Sequence, residues 1–208
     1  METIKSILEI INYLSAPVLV FLAYKGLEQI KVARETNKIN SKRDAFKIAA
    51  EQCNTFKDIV IPYAKNLSDE IKKKDIKFFE MFDVKIDGNM LKVQPKQKIP
   101  DEEYDKLDSL EHLIAFHNSL EGYALYFTSG VAEDLIGFNT TGKAFCNMVE
   151  QYLPLLAVDF NGGNYKNIKK LYFHWHKRIE TEKILLEKNR LEDKLKANKT
   201  VDFKSIGT

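Results

Sequence analysis

The stretch at residues 164–179, NYKNIKKLYFHWHKRI, decides the fold prediction because it shows both faces of one long helix. Helical spacing places a set of apolar residues on a common side: Ile168, Leu171, Tyr172, Trp175, Ile179 and Leu186. A helix buries such a stripe against its neighbours. We therefore expect a long last helix over about 164–198 that packs into a helical bundle.

The opposite face of this helix is basic, since Lys166, Lys170 and Lys177 surround Phe173 and Lys169 lies nearby. Lysines around an aromatic ring can bind phosphates while the ring stacks on a base. The Asn-Gly-Gly-Asn turn at 161–164 would also leave backbone N–H groups free for an anion. The pattern predicts a nucleotide or oligonucleotide site at Lys166, Lys169, Lys170, Phe173 and Lys177. The alternative is a solvated lysine face with Phe173 in a helix or subunit contact.

The rest of the chain is also mainly helical in pattern. It has 208 residues, of which 44% are hydrophobic and 30% charged, as in a globular protein. Its net charge of +2 requires any nucleic-acid footprint to be local. Apolar periodicity predicts helices over 26–66, 64–82, 104–128, 132–138 and 141–156. Asp87-Gly88 predicts a short hairpin or a loop within 82–93.

Within the first of these helices, the polar patch at 37–42 either interrupts the helix or lies on it. Pro62 ends or kinks it. The predicted fold class is all-α, an N-terminal transmembrane helix followed by a cytosolic bundle with one hairpin.

The transmembrane prediction comes from residues 9–26, EIINYLSAPVLVFLAYKG. The uncharged run at 10–24 spans only about 22 Å as a helix, short of a hydrocarbon core of about 30 Å. Extension to 4–27 makes it long enough, with Lys5 and Lys25 reaching the two surfaces. We expect a transmembrane helix in residues 1–30 and a cytosolic domain over 31–208. A core or interfacial helix and a signal peptide are the alternatives.

The flanking charges predict the orientation. One lysine precedes the apolar run, whereas six basic residues follow it: Lys25, Lys31, Arg34, Lys38, Lys42 and Arg43. The positive-inside rule then places the C-terminal domain in the cytoplasm. Cys53 and Cys146 lack metal-like spacing and are interpreted as reduced, buried thiols, in agreement with that compartment.

A seam of small and polar residues follows one side of the predicted span, at Glu9, Asn12, Ala16 and Ala23. Small residues let helices approach closely in lipid, and polar ones usually face a partner helix or a water-filled cavity. The seam predicts self-association or a pore. The alternative is a monomeric anchor whose polar residues lie at the membrane surface. Pro17 lies off the seam and can kink the helix.

No catalytic motif is present in the sequence. It contains neither a phosphate-binding loop nor a Gly-x-Ser-x-Gly elbow. The histidines pair at spacings of five (His112, His117) and two (His174, His176), which do not share a helix face. We expect no enzyme, no metal and no cofactor; the alternative is an enzyme whose site is assembled from scattered residues.

The segments QIKVARETNKINSKRDAFKIAAEQCNTF, NSLEGYALYFTSGVAEDLIGFNTTGKAFCNMVEQYLPLL and NYKNIKKLYFHWHKR after a lone span resemble small bacterial membrane proteins that are assigned, without an established function, to phage abortive infection. The matching positions of that family's pattern are Asn118, Glu121, Ala124, Gly130, Glu133, Gly142, Phe145, Tyr172 and Trp175. More loosely, the layout is similar to the membrane effectors of anti-phage systems such as Hailong. The resemblance supplies no catalytic residues.

The resemblance implies a function as a membrane effector of anti-phage defence in the bacterial inner membrane. Such an effector would form a homo-oligomer through its N-terminal helix and permeabilise the membrane. A nucleotide or single-stranded oligonucleotide made by a partner enzyme would control it. The alternative is a membrane-tethered binding or adaptor module without pore activity.

Overall fold

The computed structural model describes the backbone of residues 2–88 and 90–198, without the side chains of residues 2, 4, 7, 8, 10–12, 14, 16, 87, 90, 158, 159, 161 and 162. The described chain is mainly helical with one two-stranded antiparallel sheet, which confirms the predicted all-α character with a hairpin. It divides into two compact units, Met1–Lys47 and Ile48–Thr208.

The elements follow one another in a simple order. The helices are α1 (Glu2–Thr55), α2 (Ile61–Lys73), α3 (Asp101–Asp108), α4 (Leu113–Thr128), α5 (Asp134–Gln151), α6 (Leu153–Gly162) and α7 (Lys166–Ala197). A π-helical turn, Phe56–Val60, joins α1 to α2, and a 3-10 turn, Phe78–Met81, precedes the strands β1 (Phe82–Asp87) and β2 (Met90–Pro95).

Helix α1 passes through the polar patch at 37–42 without a break, so that patch does not interrupt the helix. Within the part of the chain that the structure describes, no helix combines the length and the apolar character needed to cross a membrane. The transmembrane segment therefore stays a prediction. Of the seam, Glu9 and Ala23 are exposed on α1, whereas the side chains of Asn12 and Ala16 lie outside the described residues. Pro17 lies inside α1.

Helix α1 ends at Thr55, and Pro62 lies in the first turn of α2, directly after the π-helical turn that separates the two helices. Helix α2 ends at Lys73, well before the predicted boundary near 82, because Asp75 takes a left-handed conformation with φ 47°. The hairpin forms where predicted. Asp87 pairs with Met90, and Gly88 supplies the positive φ that the tight turn requires.

The predicted helix over 104–128 is wrong, because the structure divides it into α3 and α4. The segment between α3 and α4 is held in place by hydrogen bonds to Glu70 of α2 and to Lys74, which directly follows α2. Lys74 Nζ donates to the Ser109 carbonyl at 2.5 Å, and the backbone N–H of His112 donates to Glu70 Oε2 at 3.3 Å. These contacts cross at least 35 residues, so local periodicity carries no sign of them.

The predicted helices over 132–138 and 141–156 are replaced by α5 and α6, which divide at Tyr152. Gly142 does not break α5; Phe138 packs so closely over it that an added Cβ would lie 2.8 Å from the ring atom Cδ2. The helix boundary at Tyr152 lies just before Pro154, which occupies the first turn of α6, where its missing N–H costs no helical hydrogen bond.

The core of the second unit forms around Trp175 of α7, which is fully buried. Its indole contacts aromatic rings of α4 and α5 at centroid distances of 5.3 to 6.3 Å, namely Tyr123, Phe127, Phe138 and Phe145. The predicted stripe of α7 is buried at Ile168, Leu171, Tyr172 and Trp175. It ends near the half-buried Ile179, since Leu186 is 70% exposed.

Candidate ligand site on helix α7

The start of α7 is held by a single carboxylate of α4. Glu121 Oε1 accepts from the backbone N–H of Asn167 at 3.1 Å and from its Nδ2 at 2.7 Å, and Oε2 accepts from the backbone N–H of Ile168 at 2.9 Å. Carboxylates favour this position because of the positive end of the helix dipole. The prediction that N–H groups at the start of α7 are free for an anion is therefore wrong for these two.

All five residues of the predicted ligand site line one cavity of about 640 Å³. The structure adds Phe160, Gly163 and His174 to its lining. The left-handed backbone of Gly163 (φ 84°) turns the chain from α6 into α7, and this turn brings Phe160 opposite the lysines. We call this cavity the lysine pocket.

The lysine pocket is strongly cationic. Among the described residues, no carboxylate oxygen lies within 4.0 Å of the ammonium groups of Lys166, Lys169, Lys170 or Lys177. Lys170 Nζ donates to the Thr128 carbonyl at the end of α4, at 3.0 Å. That carbonyl is neutral, so all four lysines keep a charge that an anionic ligand can neutralise.

Two aromatic rings give the lysine pocket its apolar surface. Phe160 is buried, and the ammonium group of Lys169 lies 5.9 Å from its ring centroid. Phe173 is half-buried and packs against Tyr172 at 5.6 Å, so part of the ring stays open to the pocket. A ligand can stack on such a ring while its anionic groups meet the lysines.

A second, smaller cavity of about 250 Å³ adjoins the lysine pocket and shares Lys170 and His174 with it. Phe127, Thr128, Asp134 and Leu171 complete its lining. We call it the side pocket. Asp134, at the start of α5, accepts a 2.7 Å hydrogen bond from Trp175 Nε1 at its Oδ1 atom.

Sequence patterns did not find Glu121, Asp134 or Phe160 as parts of the site. The bonds of Glu121 and Asp134 reach α7 over separations of 40 residues or more. Spacing along one helix contains no signal for such contacts. The lysines and Phe173 were recognisable because a single helix carries them.

No group of three or more metal-ligating side chains is present in the described part of the chain. Both cysteines are free; Cys146 is buried and Cys53 only half-buried, so the prediction of two buried thiols holds for Cys146 alone. Burial, together with the charge of Glu150, raises the pKa of the Cys146 thiol to about 12, whereas a nucleophilic thiol needs a lowered pKa.

Comparison with known proteins found no match: neither a protein-family model, nor a curated protein, nor a solved structure is similar to this chain. The function is therefore argued from the site.

Proposed function

We propose that this protein is a receptor for an anionic ligand with an aromatic part, a nucleotide or oligonucleotide, which binds in the lysine pocket. The observation that carries the proposal is the meeting of four lysines and two phenylalanines in one cavity of about 640 Å³. Phosphates release counterions when lysines neutralise them, and bases stack on phenylalanine rings.

The alternative of a solvated lysine face fits less well, as the exposed end of the same helix illustrates. There three of the four lysines in 181–197 pair with acidic neighbours one turn away: Lys183 with Glu180, Lys188 with Glu192 and Lys196 with Asp193. Such pairs are typical of a helix face that meets only water. The lysines of the pocket lack them among the described residues, which favours a ligand as their partner.

The receptor is, in this proposal, the sensing part of a non-enzymatic membrane effector of anti-phage defence. The N-terminal helix spans the bacterial inner membrane, associates through Glu9, Asn12, Ala16 and Ala23, and permeabilises the membrane under control of the ligand. The apolar run at 10–24, the polar seam and the family resemblance support this part.

Binding is tested by reversing charge in the lysine pocket. Lys166→Glu combined with Lys177→Glu is expected to weaken binding of nucleotides and short single strands more than tenfold, and to lessen its salt dependence. Lys188→Glu with Lys194→Glu, on the exposed end of the same helix, is the matched control and should bind normally. Equal binding by both double variants would refute the proposed receptor.

Membrane activity is tested separately, by dye uptake in cells that express the full chain. Glu9→Leu with Asn12→Leu should abolish uptake if the seam forms the pore, because leucine removes the polar surface. Unchanged uptake would remove the pore from the proposal. Replacement of residues 1–30 by an unrelated anchor distinguishes the adaptor alternative, since an adaptor would keep its function.

A further inference from the structure

The charges of the lysine pocket are unevenly placed along α7. Two of its lysines direct their side chains towards the turn between α6 and α7. Lys166 Cε lies 3.8 Å from the position that a Cβ added to Gly163 would take. The ammonium group of Lys169 lies 5.9 Å from the ring centroid of Phe160, in the last turns of α6. The pocket therefore has a cationic end at this turn.

Lys170 belongs to the same end of the pocket. Its Nζ donates to the Thr128 carbonyl at 3.0 Å, and Thr128 Oγ1 donates to Asn167 Oδ1 at 2.6 Å. Asn167 lies in the first turn of α7, so the ammonium group of Lys170 reaches back towards the start of the helix. Long side chains of a helix usually lean in this direction.

Lys177 lies at the opposite end of the pocket. It follows Lys170 by seven residues, a rise of about 10 Å along the helix axis. Phe173 lies between these two lysines on the same face, since residues three and four apart are neighbours on a helix surface. The order along the pocket is therefore three lysines, one aromatic ring and one further lysine.

This order suits a ligand that has anionic groups on both sides of its aromatic part. A base stacked on Phe173 can have one phosphate among the three lysines and another at Lys177. The phosphates of a nucleoside 5′-polyphosphate share bridging oxygens and stay together. In a nucleoside 3′,5′-bisphosphate the sugar separates the two phosphates, as it does at an internal nucleotide of a strand.

We infer that the lysine pocket recognises a nucleotide that carries phosphate on both its 5′ and its 3′ side, in preference to a nucleoside 5′-polyphosphate. The inference rests on the proposed binding of nucleotides in this pocket and names the class of nucleotide. Two separated phosphates neutralise both cationic ends of the pocket, whereas a polyphosphate held among the three lysines leaves Lys177 without an anion.

The test compares adenosine 3′,5′-bisphosphate with ADP, which is its isomer, and with ATP, whose charge is about the same. Calorimetry on the full-length protein, at fixed pH and salt and without Mg²⁺, gives the affinities. The bisphosphate should bind about fivefold more tightly than either, as expected for one additional exposed ion pair. Equal or tighter binding of ATP overturns the inference but leaves the receptor intact. Absence of binding by all three nucleotides and by short single strands refutes both.

Variants locate the preference at one end of the pocket. Lys177→Gln should lower the affinity for the bisphosphate about fivefold more than the affinity for ATP, because it removes the cation of the second phosphate. Lys166→Gln should weaken both ligands alike and keep the preference. Lys188→Gln, on the exposed end of α7, is the control and should change neither affinity. A preference that survives in Lys177→Gln, with a melting temperature that shows the variant folded, would also overturn the inference.

Discussion

Glu121 illustrates how one residue positions a binding surface that it does not line. Its carboxylate receives two backbone N–H groups and one side-chain amide from the start of α7. Thr128 Oγ1, at the C-terminal end of α4, donates to Asn167 Oδ1 at 2.6 Å. Together these bonds set where α7 begins, and with it where the lysines lie.

Replacement of Glu121 by alanine should lower the free energy of unfolding by about 1–3 kcal/mol, because buried donors lose their acceptor. Ligand affinity should fall as well, since the start of α7 then frays. Glu111→Ala, on an exposed carboxylate next to α4, is the control. Urea denaturation measures both variants, and an equal effect of the two would contradict the assigned role of Glu121.

The ionised carboxylate of Glu103 in α3 accepts hydrogen bonds that we expect to weaken when acid protonates it. Burial alone would raise its pKa, but hydrogen bonds from Lys106 Nζ and from the backbone N–H of Lys77 outweigh burial and lower the pKa below the ordinary 4.5. Such a group stabilises the fold above its unfolded-state pKa, and the contribution is lost as the pH falls through its folded-state pKa. Glu103→Gln should therefore be less stable than the native chain at neutral pH.

The stability difference between Glu103→Gln and the native chain should shrink as the pH is lowered below 4.5. Thermal unfolding followed at several pH values measures it. If the stability difference between the two proteins stayed constant down to the pH at which the fold is lost, the charge of Glu103 would contribute nothing to stability.

At the scale of elements, the close contact between α4 and α5 depends on Gly137, because a glycine has no side chain. A Cβ added at Gly137 would overlap the ring of Phe127, including its Cζ atom at 2.6 Å. Phe127 cannot move freely, because it packs on Trp175 and is almost fully buried. The glycine thus lets α5 lie against the ring that also forms a wall of the side pocket.

Gly137→Ala should destabilise the protein by about 1–3 kcal/mol, since overpacking exceeds the gain in helix propensity. Gly122→Ala is the matched control: it is also a helical glycine, has open space at its Cβ position, and should be neutral or stabilising by up to about 1 kcal/mol. Chemical denaturation gives both values. If Gly137→Ala were instead more stable than the native chain, the Phe127 ring would have moved aside to make room for the methyl group, and the prediction would be wrong.

At the scale of the whole molecule, burial is concentrated in the middle of the chain. Residues 27–44 of α1 are exposed throughout, as are residues 181–197 of α7. Helix without buried apolar surface opens at low free-energy cost. The aromatic cluster around Trp175 belongs to the second unit alone.

Limited trypsin digestion should therefore cut first at exposed basic residues of α1, from Lys25 to Arg43, and of the α7 end, from Lys183 onward. A resistant fragment over about 44–183 is expected, and mass spectrometry identifies it. Cleavage within 48–180 at the same early times would contradict the assignment of stability to the second unit. Binding by the resistant fragment would place the ligand site within it.

The sequence by itself determined the helical class, the hairpin and both faces of α7, because these depend on spacing within one element. The lysines and Phe173 share a helix face wherever that helix packs. Only the tertiary structure decided the break between α3 and α4, the closing of the start of α7 by Glu121, and the meeting of Phe160, Asp134 and the lysines around two cavities. Those features come from contacts between residues far apart in the chain, which no local pattern encodes.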